Sequence, residues 1–156
     1  MVCALLLGTG IFLASMFCFG VTMALIVHLV SRLMRNGYAG SEFWRNVAVM
    51  MTVTLLTTGA HLGQIAFWAA ALVATGEIST FATAFYLSAQ DYTALGYGDV
   101  TLSDQWRLLG PLEAINGLLV FGLSTAMMFA ILSRLVTSRL RKRSSQGSRQ
   151  HRPSHE

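Results

Sequence analysis

Charged side chains are scarce in this sequence, and long stretches lack them altogether. Asp, Glu, Lys and Arg make up 12% of the residues, about half the share found in typical soluble domains. Residues 4–31, 47–76 and 114–133 contain none of them. About 20 apolar residues in a helix suffice to cross the roughly 30 Å hydrocarbon core of a membrane. The composition therefore excludes an ordinary soluble domain and predicts an integral membrane protein with three transmembrane helices.

Cysteine and proline are also rare, with two residues of each. Cys3 and Cys18 lie in or beside the first apolar stretch, where a helix would hold them about 22 Å apart. A disulfide cannot span that distance within one chain, so we expect both side chains to serve as small apolar packing residues. Pro111 precedes the third apolar stretch, in the first turn of the predicted helix, where proline is tolerated.

The charges that are present separate by sign along the chain. Basic residues follow the first and third apolar stretches: Arg32, Arg35, Arg45, Arg134, Arg139, Arg141, Lys142, Arg143, Arg149 and Arg152. The segment between the second and third stretches is mainly acidic: Glu77, Asp91, Asp99, Asp104 and Glu113. The positive-inside rule then predicts a cytoplasmic C-terminus and an external N-terminus. Basic residues at membrane edges indicate contact with anionic lipids rather than nucleic-acid binding.

A short polar segment lies between the second and third apolar stretches. It reads Tyr-Thr-Ala-Leu-Gly-Tyr-Gly-Asp over residues 92–99. A backbone whose successive carbonyls point towards one axis needs alternating hands, and glycine reaches positive φ without a Cβ penalty, so Gly96 and Gly98 suit the alternate positions. Rings of such carbonyls replace the hydration shell of K⁺ in a selectivity filter. A glycine-rich turn without a function is the alternative interpretation.

A short helix is predicted immediately before this segment, over residues 79–93. Ser79 or Thr80 can cap its N-terminus, and the helix is too short and too polar to cross a membrane. We expect it to enter the membrane halfway from outside, with the partial negative charge of its C-terminus directed at a cation.

The second apolar stretch carries a stripe of polar residues at spacings of three to four: Thr54, Thr57, Thr58, His61 and Gln64. Because polar groups that face lipid are costly, we expect this stripe to face protein. Hydrogen bonding to a neighbouring helix is one interpretation. A specific role for His61 or Gln64 behind the segment of residues 94–99 is the other.

These residues resemble the potassium channels that have a helix–pore loop–helix core. Residues 95–99, Leu-Gly-Tyr-Gly-Asp, resemble the family's Val-Gly-Tyr-Gly-Asp, and residues 121–126 resemble the inner helix of simple bacterial members. The resemblance extends over residues 61–132. It implies a homotetramer, because one chain supplies only a quarter of a filter.

The resemblance also implies roles for individual residues. The ion-binding positions would be Ala94, Leu95, Gly96, Tyr97 and Gly98, and their supporting positions would be Tyr86, Gln90, Thr93 and Asp99. Gly117 would lie at the family's gating hinge, with close helix packing as the alternative, and Thr125 would line the central cavity.

Two departures from the family pattern concern the filter. Ala94 stands where the family usually has a threonine, whose hydroxyl helps form the innermost ion site. Behind the filter, Gln90 replaces a glutamate found in some members, and Tyr86 and Leu87 replace paired tryptophans. These departures therefore weaken the expectation of strict selectivity for K⁺ over Na⁺ more than any other expectation.

Together these patterns predict an all-α membrane protein with three transmembrane helices, a re-entrant pore helix and a filter loop, assembled as a tetramer. Residues 1–46 would form a peripheral transmembrane helix, which we expect to be retained rather than removed as a signal peptide, and a cytoplasmic loop. Residues 47–136 would form the pore domain, with transmembrane helices over 47–74 and 111–136. Residues 137–156 would form a basic, disordered tail.

The predicted function is passive, K⁺-selective conduction by a homotetramer in a cell membrane. A weakly selective cation channel and a non-conducting subunit or scaffold are the alternatives. We expect no enzyme, because no nucleophile, base and orienting group occur together at catalytic spacing. No cofactor is expected, and no metal site beyond the permeating K⁺.

Overall fold

The described chain consists of helices. The structure is a computed structural model that describes residues 2–35 and 43–150, with side chains for 4–35 and 43–137. Its elements in chain order are α1 (Val2–Arg35), α2 (Phe43–Ala74), α3 (Phe81–Tyr92) and α4 (Leu109–Gln150). Three helices are long and apolar enough to cross a membrane, over Ala4–Arg35, Phe43–Ala74 and Leu109–Thr137. The predicted all-α class with three membrane-spanning helices is therefore confirmed.

The helices begin where local capping favours it rather than where the charge-free stretches begin. α3 begins after Thr80, whose Oγ1 accepts a hydrogen bond from the backbone N–H of Thr83 at 3.4 Å, so Thr80 is the N-cap. α2 begins at Phe43 rather than at 47, because a charged Arg45 ends a charge-free stretch without ending a helix. The predicted loop over residues 36–41 and the side chain of Cys3 lie outside the described part of the chain.

α4 is longer than the sequence predicted. It starts at Leu109 rather than at 111 and continues to Gln150 rather than ending at 136. Lys and Arg are good helix formers, and no glycine occurs between the predicted end and Gly147 to break the pattern. Residues 137–150, which the sequence analysis placed in a disordered tail, thus belong to α4 in the structure, and residues 151–156 lie outside the described chain.

The chain divides into two compact units. The first consists of Met1–Ala24 and Thr57–Ser124, and the second of Leu25–Leu56 and Thr125–Glu156. α3 and the segment that follows it belong to the first unit. α3 packs there through two apolar clusters, one containing Ala69, Leu72, Ala84, Leu87 and Leu109, the other Phe19, Ile65, Tyr92 and Val120. These clusters place the C-terminal end of α3 against α1, α2 and α4.

Two glycines allow close approaches within the first unit. A Cβ added to Gly117 would lie 1.9 Å from the backbone oxygen of Tyr92, so α4 contacts the last residue of α3 at this point. A Cβ added to Gly8 would lie 2.7 Å from Cδ1 of Leu112, so α1 approaches α4 closely as well. By contrast, a Cβ at Gly122 would meet no atom within 4 Å.

The contact at Gly117 makes a testable prediction about stability. Gly117→Ala should destabilise the fold by about 1–3 kcal/mol, because the added methyl group collides with backbone that has little room to move. Gly122→Ala is the matched control, since its added Cβ enters open space on the same helix. Thermal unfolding in detergent, followed by circular dichroism, measures both variants. Equal midpoints for Gly117→Ala and wild type would contradict the close contact.

Candidate functional site

The end of α3 is closed by hydrogen bonds that fix where the chain leaves the helix. The backbone N–H of Ala94 donates to the carbonyl of Asp91 at 2.9 Å, and that of Leu95 donates to the carbonyl of Gln90 at 2.8 Å. The Thr93 hydroxyl donates to the carbonyl of Ala89 at 2.6 Å, within its own helix. Carbonyls that a helix end leaves unpaired are thereby satisfied, and the chain enters the segment of residues 94–99 from a defined point.

In the segment of residues 94–99, the backbone alternates between left-handed conformations with positive φ and conformations outside the positive-φ region. φ is +57° at Ala94, +56° at Gly96 and +75° at Gly98, whereas Leu95 and Tyr97 between them are not in the positive-φ region. This is the alternation that turns successive carbonyl groups towards the same side, and the sequence predicted it for both glycines. The sequence analysis missed that Ala94 adopts it too, at a cost of about 1–2 kcal/mol for a residue with a Cβ.

Gln90 and Tyr86 brace the segment from α3. The Gln90 side chain accepts a hydrogen bond from the backbone N–H of Tyr97 at 3.1 Å and donates one to Oδ1 of Asp99 at 3.0 Å. The Tyr86 hydroxyl donates to Oδ2 of Asp99 at 2.9 Å. The structure thus brings together three of the four predicted supporting residues, whereas Thr93 bonds only to α3 backbone carbonyls.

This bracing also sets the ionisation of the two groups that it joins. The hydrogen bond from Gln90, followed by that from Tyr86, lowers the pKa of the Asp99 carboxyl. The hydrogen bond to Asp99 in turn raises the pKa of Tyr86. Both groups therefore keep their donor and acceptor roles at neutral pH, with Asp99 as a carboxylate and Tyr86 as a neutral phenol.

The other side of the segment is largely uncovered by the residues that the structure describes. The side chains of Leu95 and Tyr97 are 60% and 70% exposed. A cavity of about 620 Å³ adjoins the segment, with Leu87, Asp91 and Pro111 among its lining residues. Large apolar side chains beside a partly polar cavity are typical of a surface that another chain or a ligand completes.

Gly117 and Thr125 lie in different units. Gly117 contacts the backbone of Tyr92, which is close helix packing, and its role as a gating hinge stays a prediction. Thr125 belongs to the second unit, and its side chain is exposed.

The polar stripe of α2 faces protein only in part. Gln64 and Thr57 are buried, but Thr54 and Thr58 are exposed. The Thr54 hydroxyl donates to the carbonyl of Met50 one turn earlier, at 3.0 Å. A threonine bonded to its own helix loses little on facing an apolar medium, so Thr54 can be exposed in one chain.

A buried polar cluster joins α1 to α2 and α4. Its α2 member, Gln64, was expected to bond to a neighbouring helix, whereas Ser15 and Asn116 were not predicted from the sequence. The Ser15 hydroxyl bonds to Oε1 of Gln64, the Gln64 amide donates to the carbonyl of Ser15 at 3.1 Å, and the Asn116 amide donates to Oγ of Ser15 at 2.7 Å. Ser15 and Asn116 are fully buried. A single serine or asparagine in an otherwise apolar helix was the available signal, since such residues hydrogen-bond across membrane helices.

No group of histidine, cysteine and carboxylate side chains among the described residues is arranged to hold a metal ion. What the first unit contains instead is a short helix, a braced segment in which the sign of φ alternates, and parts of three long apolar helices packed beside it.

Comparison with known proteins agrees with this geometry. Residues 60–134 match a family model described as an ion channel, which covers the end of α2, all of α3, the segment of residues 94–99 and most of the apolar part of α4. No curated protein and no solved structure matches the chain. The protein is a multi-pass membrane protein, and its residues 60–134 are similar to the ion-channel family that this model describes.

Proposed function

We propose that the protein is a passive, K⁺-selective channel that works as a homotetramer. The observation that carries the proposal is the positive φ at Ala94, Gly96 and Gly98, directly after the end of α3. In an assembly around one axis, carbonyls from Ala94 to Tyr97 replace the water around K⁺, and repulsion between ions in neighbouring sites drives them onwards. The ion moves down its electrochemical gradient, and this transport needs no cofactor.

The length of α3 supports a half-membrane position for it. Its 12 residues extend about 18 Å, which is too short to cross about 30 Å of hydrocarbon. The segment that follows α3 would then lie at membrane depth, where irregular backbone is tolerated if it lines a watery path. The partial negative charge at the helix C-terminus would favour a cation there.

The uncovered side of the segment supports a tetramer. Leu95 and Tyr97 are exposed in one chain, and copies of the chain around a shared axis would bury them. Gln90, Tyr86 and Asp99 would keep the carbonyl positions constant from the other side, because they hold the segment to its own α3. Thr125 would line the cavity below.

The distribution of charge supports an orientation. We place the N-terminus outside and the C-terminus in the cytoplasm, since the basic residues cluster after the first and third membrane-spanning helices. The arginines that follow α4's apolar part would contact anionic lipid head groups.

One observation favours a second candidate, a weakly selective cation channel. Ala94 has no hydroxyl to contribute to the innermost ion site, and four chains would lose four such groups. The remaining sites are built from backbone and would still dehydrate a cation. A non-conducting subunit or scaffold is the third outcome that an experiment must distinguish.

Ion flux into liposomes that contain only the purified protein separates these functions. We expect rapid K⁺ and Rb⁺ flux, little Na⁺ flux and block by Ba²⁺. Equal K⁺ and Na⁺ flux would identify a weakly selective channel, and Ala94→Thr should then restore selectivity by returning the hydroxyl. Absence of flux from both wild type and Ala94→Thr would support the non-conducting subunit.

The backbone conformation of Gly98 allows a sharper test of the filter. Gly98→Ala should reduce K⁺ flux to background, because in every subunit a Cβ at positive φ adds about 1–2 kcal/mol to the strain that Ala94 already carries. Membrane insertion and assembly should be unchanged, since nothing lies within 4 Å of the added atom in one chain. Gly63→Ala, in a helix and also with open space around the added Cβ, is the control. Normal flux in Gly98→Ala would remove this segment from the conduction path.

The brace at Gln90 predicts linked changes in ionisation and selectivity. Gln90→Leu removes the largest cause of the lowered pKa of Asp99, so that pKa should rise towards its ordinary value. A carboxylate with a lowered pKa contributes stability above its ordinary pKa and loses it as the pH falls, so the variant should lose less structure on acidification. NMR titration of Asp99 measures the first effect, and the K⁺ to Na⁺ flux ratio, which should fall, measures the consequence. Gln105→Leu, on the exposed loop before α4, is the control.

A further inference from the structure

A hydrogen-bonded chain behind the conduction segment has no part in the function described so far. His61 lies on α2 with both ring nitrogens engaged: Nδ1 is 3.0 Å from the Tyr92 hydroxyl, and Nε2 is 3.1 Å from Oγ of Ser124. The Ser124 hydroxyl donates to the carbonyl of Val120 at 2.7 Å. The imidazole thereby connects the last residue of α3 with α4.

The directions of these hydrogen bonds follow from proton counting. Ser124 has one hydroxyl proton, and it is directed at Val120, so its oxygen accepts from the Nε2–H of His61. A neutral imidazole with its proton on Nε2 has an acceptor at Nδ1, and the Tyr92 hydroxyl fills it as a donor. Every donor in the chain Tyr92–His61–Ser124–Val120 then has an acceptor, provided that His61 is neutral.

The groups around the imidazole leave it without a charged partner in the described chain. The Phe121 ring stacks on it with centroids 4.4 Å apart, and Phe19 from α1 lies at 5.8 Å. Tyr92 is the titratable group that α3 presents to it. A positive charge on this ring would therefore find no carboxylate in contact to stabilise it.

The imidazole's partner Tyr92 has titratable neighbours of its own. Burial raises the pKa of Tyr92, so its hydroxyl keeps its proton and its role as donor. The carboxyl group of Glu113 on α4 interacts electrostatically with Tyr92, and that of Asp91 on α3 interacts with Glu113. These three groups, with His61, are the ones that a pH experiment must tell apart.

Tyr92 is held to α4 at two points. Its backbone oxygen lies against Gly117, and its hydroxyl reaches Ser124 through His61. The whole side chain is buried, and Ala94, the first residue of the alternating segment, follows two residues later. A change in the position of Tyr92 therefore displaces the start of the conduction segment.

We propose that His61 is a positioning residue for the conduction segment, and that protonation of its imidazole releases Tyr92 and lowers ion flux. A proton on Nδ1 would convert the acceptor of the Tyr92 hydroxyl into a second donor. The hydroxyl proton would then need another acceptor, and within the described part of the chain Tyr92 has none. The regulation rests on the proposed function, since it requires a conducting protein.

The sign of the pH effect follows from this chemistry. The neutral form of the His61 imidazole is the one that completes the chain of hydrogen bonds. Flux should therefore be high at about pH 8 and fall severalfold as the medium is acidified to about pH 5. The fall should follow a single titration of each subunit's imidazole.

Flux into liposomes at a series of pH values tests the proposal with four proteins: wild type, His61→Gln, Glu113→Gln and His28→Gln. Glutamine offers one donor and one acceptor and does not titrate, so His61→Gln should keep most of the flux at high pH and lose the acid response. His28→Gln, at an exposed histidine of α1, and Glu113→Gln should both keep the wild-type acid response. Loss of that response in Glu113→Gln, or its persistence in His61→Gln, would overturn the proposal.

A second measurement separates failure of this proposal from failure of the channel function. ¹⁵N NMR of the histidine side chains should find His61 as the Nε2–H tautomer at high pH. On acidification the backbone amides of Ala94 and Gly96 should shift with the same midpoint as the His61 ring. If the wild type conducts at no pH, these shifts still support the positioning role. Amides that stay unchanged while the ring titrates would overturn it.

Discussion

The position of Tyr92 is the constraint on which the site depends. This residue ends α3, is fully buried and has its backbone oxygen in contact with α4 at Gly117. Because the chain turns immediately afterwards into three alternating positive-φ positions, any freedom at Tyr92 would be transmitted to Ala94, Gly96 and Gly98. Two features restrain that freedom: a glycine that admits the backbone of α3, and an imidazole that holds the phenol.

Buried hydrogen bonds between helices also hold together the rest of the first unit. Buried hydroxyl and amide groups are costly unless they are hydrogen-bonded, and here they are concentrated where helices must stay together. Ser15 accepts from Asn116 and bonds to Gln64, which ties α1 to both neighbouring helices. Ser88 of α3 donates to the buried carboxyl of Glu113 at 3.3 Å. α1 is therefore attached to residues 60–134, the part that matches the ion-channel model, by specific bonds as well as by apolar packing.

In the segment of residues 94–99, the backbone and the side chains have different roles. Backbone hand determines which way the carbonyls turn, whereas Gln90 and Tyr86 determine how firmly the segment is held, through Tyr97 and Asp99. Ala94 adopts a positive φ although its Cβ disfavours that conformation. Its side chain also lacks a hydroxyl. Its conformation is therefore imposed by its neighbours, the end of α3 on one side and Gly96 on the other.

The sequence by itself determined the all-α membrane class of the protein and the positive φ of Gly96 and Gly98. Charge-free stretches identify membrane-spanning helices because water-to-hydrocarbon transfer depends on composition, and alternate glycines identify a backbone that needs positive φ. Thr80 was predictable as a cap for the same local reason. Only the tertiary structure decided which polar residues meet. Ser15 and Asn116, or His61 and Ser124, are far apart in the chain, and the rotation of each helix about its axis selects the pairs. The tertiary structure also decided that Gly117 packs against Tyr92. A close approach depends on how two helices are placed relative to each other, and the local sequence of either helix does not specify that placement.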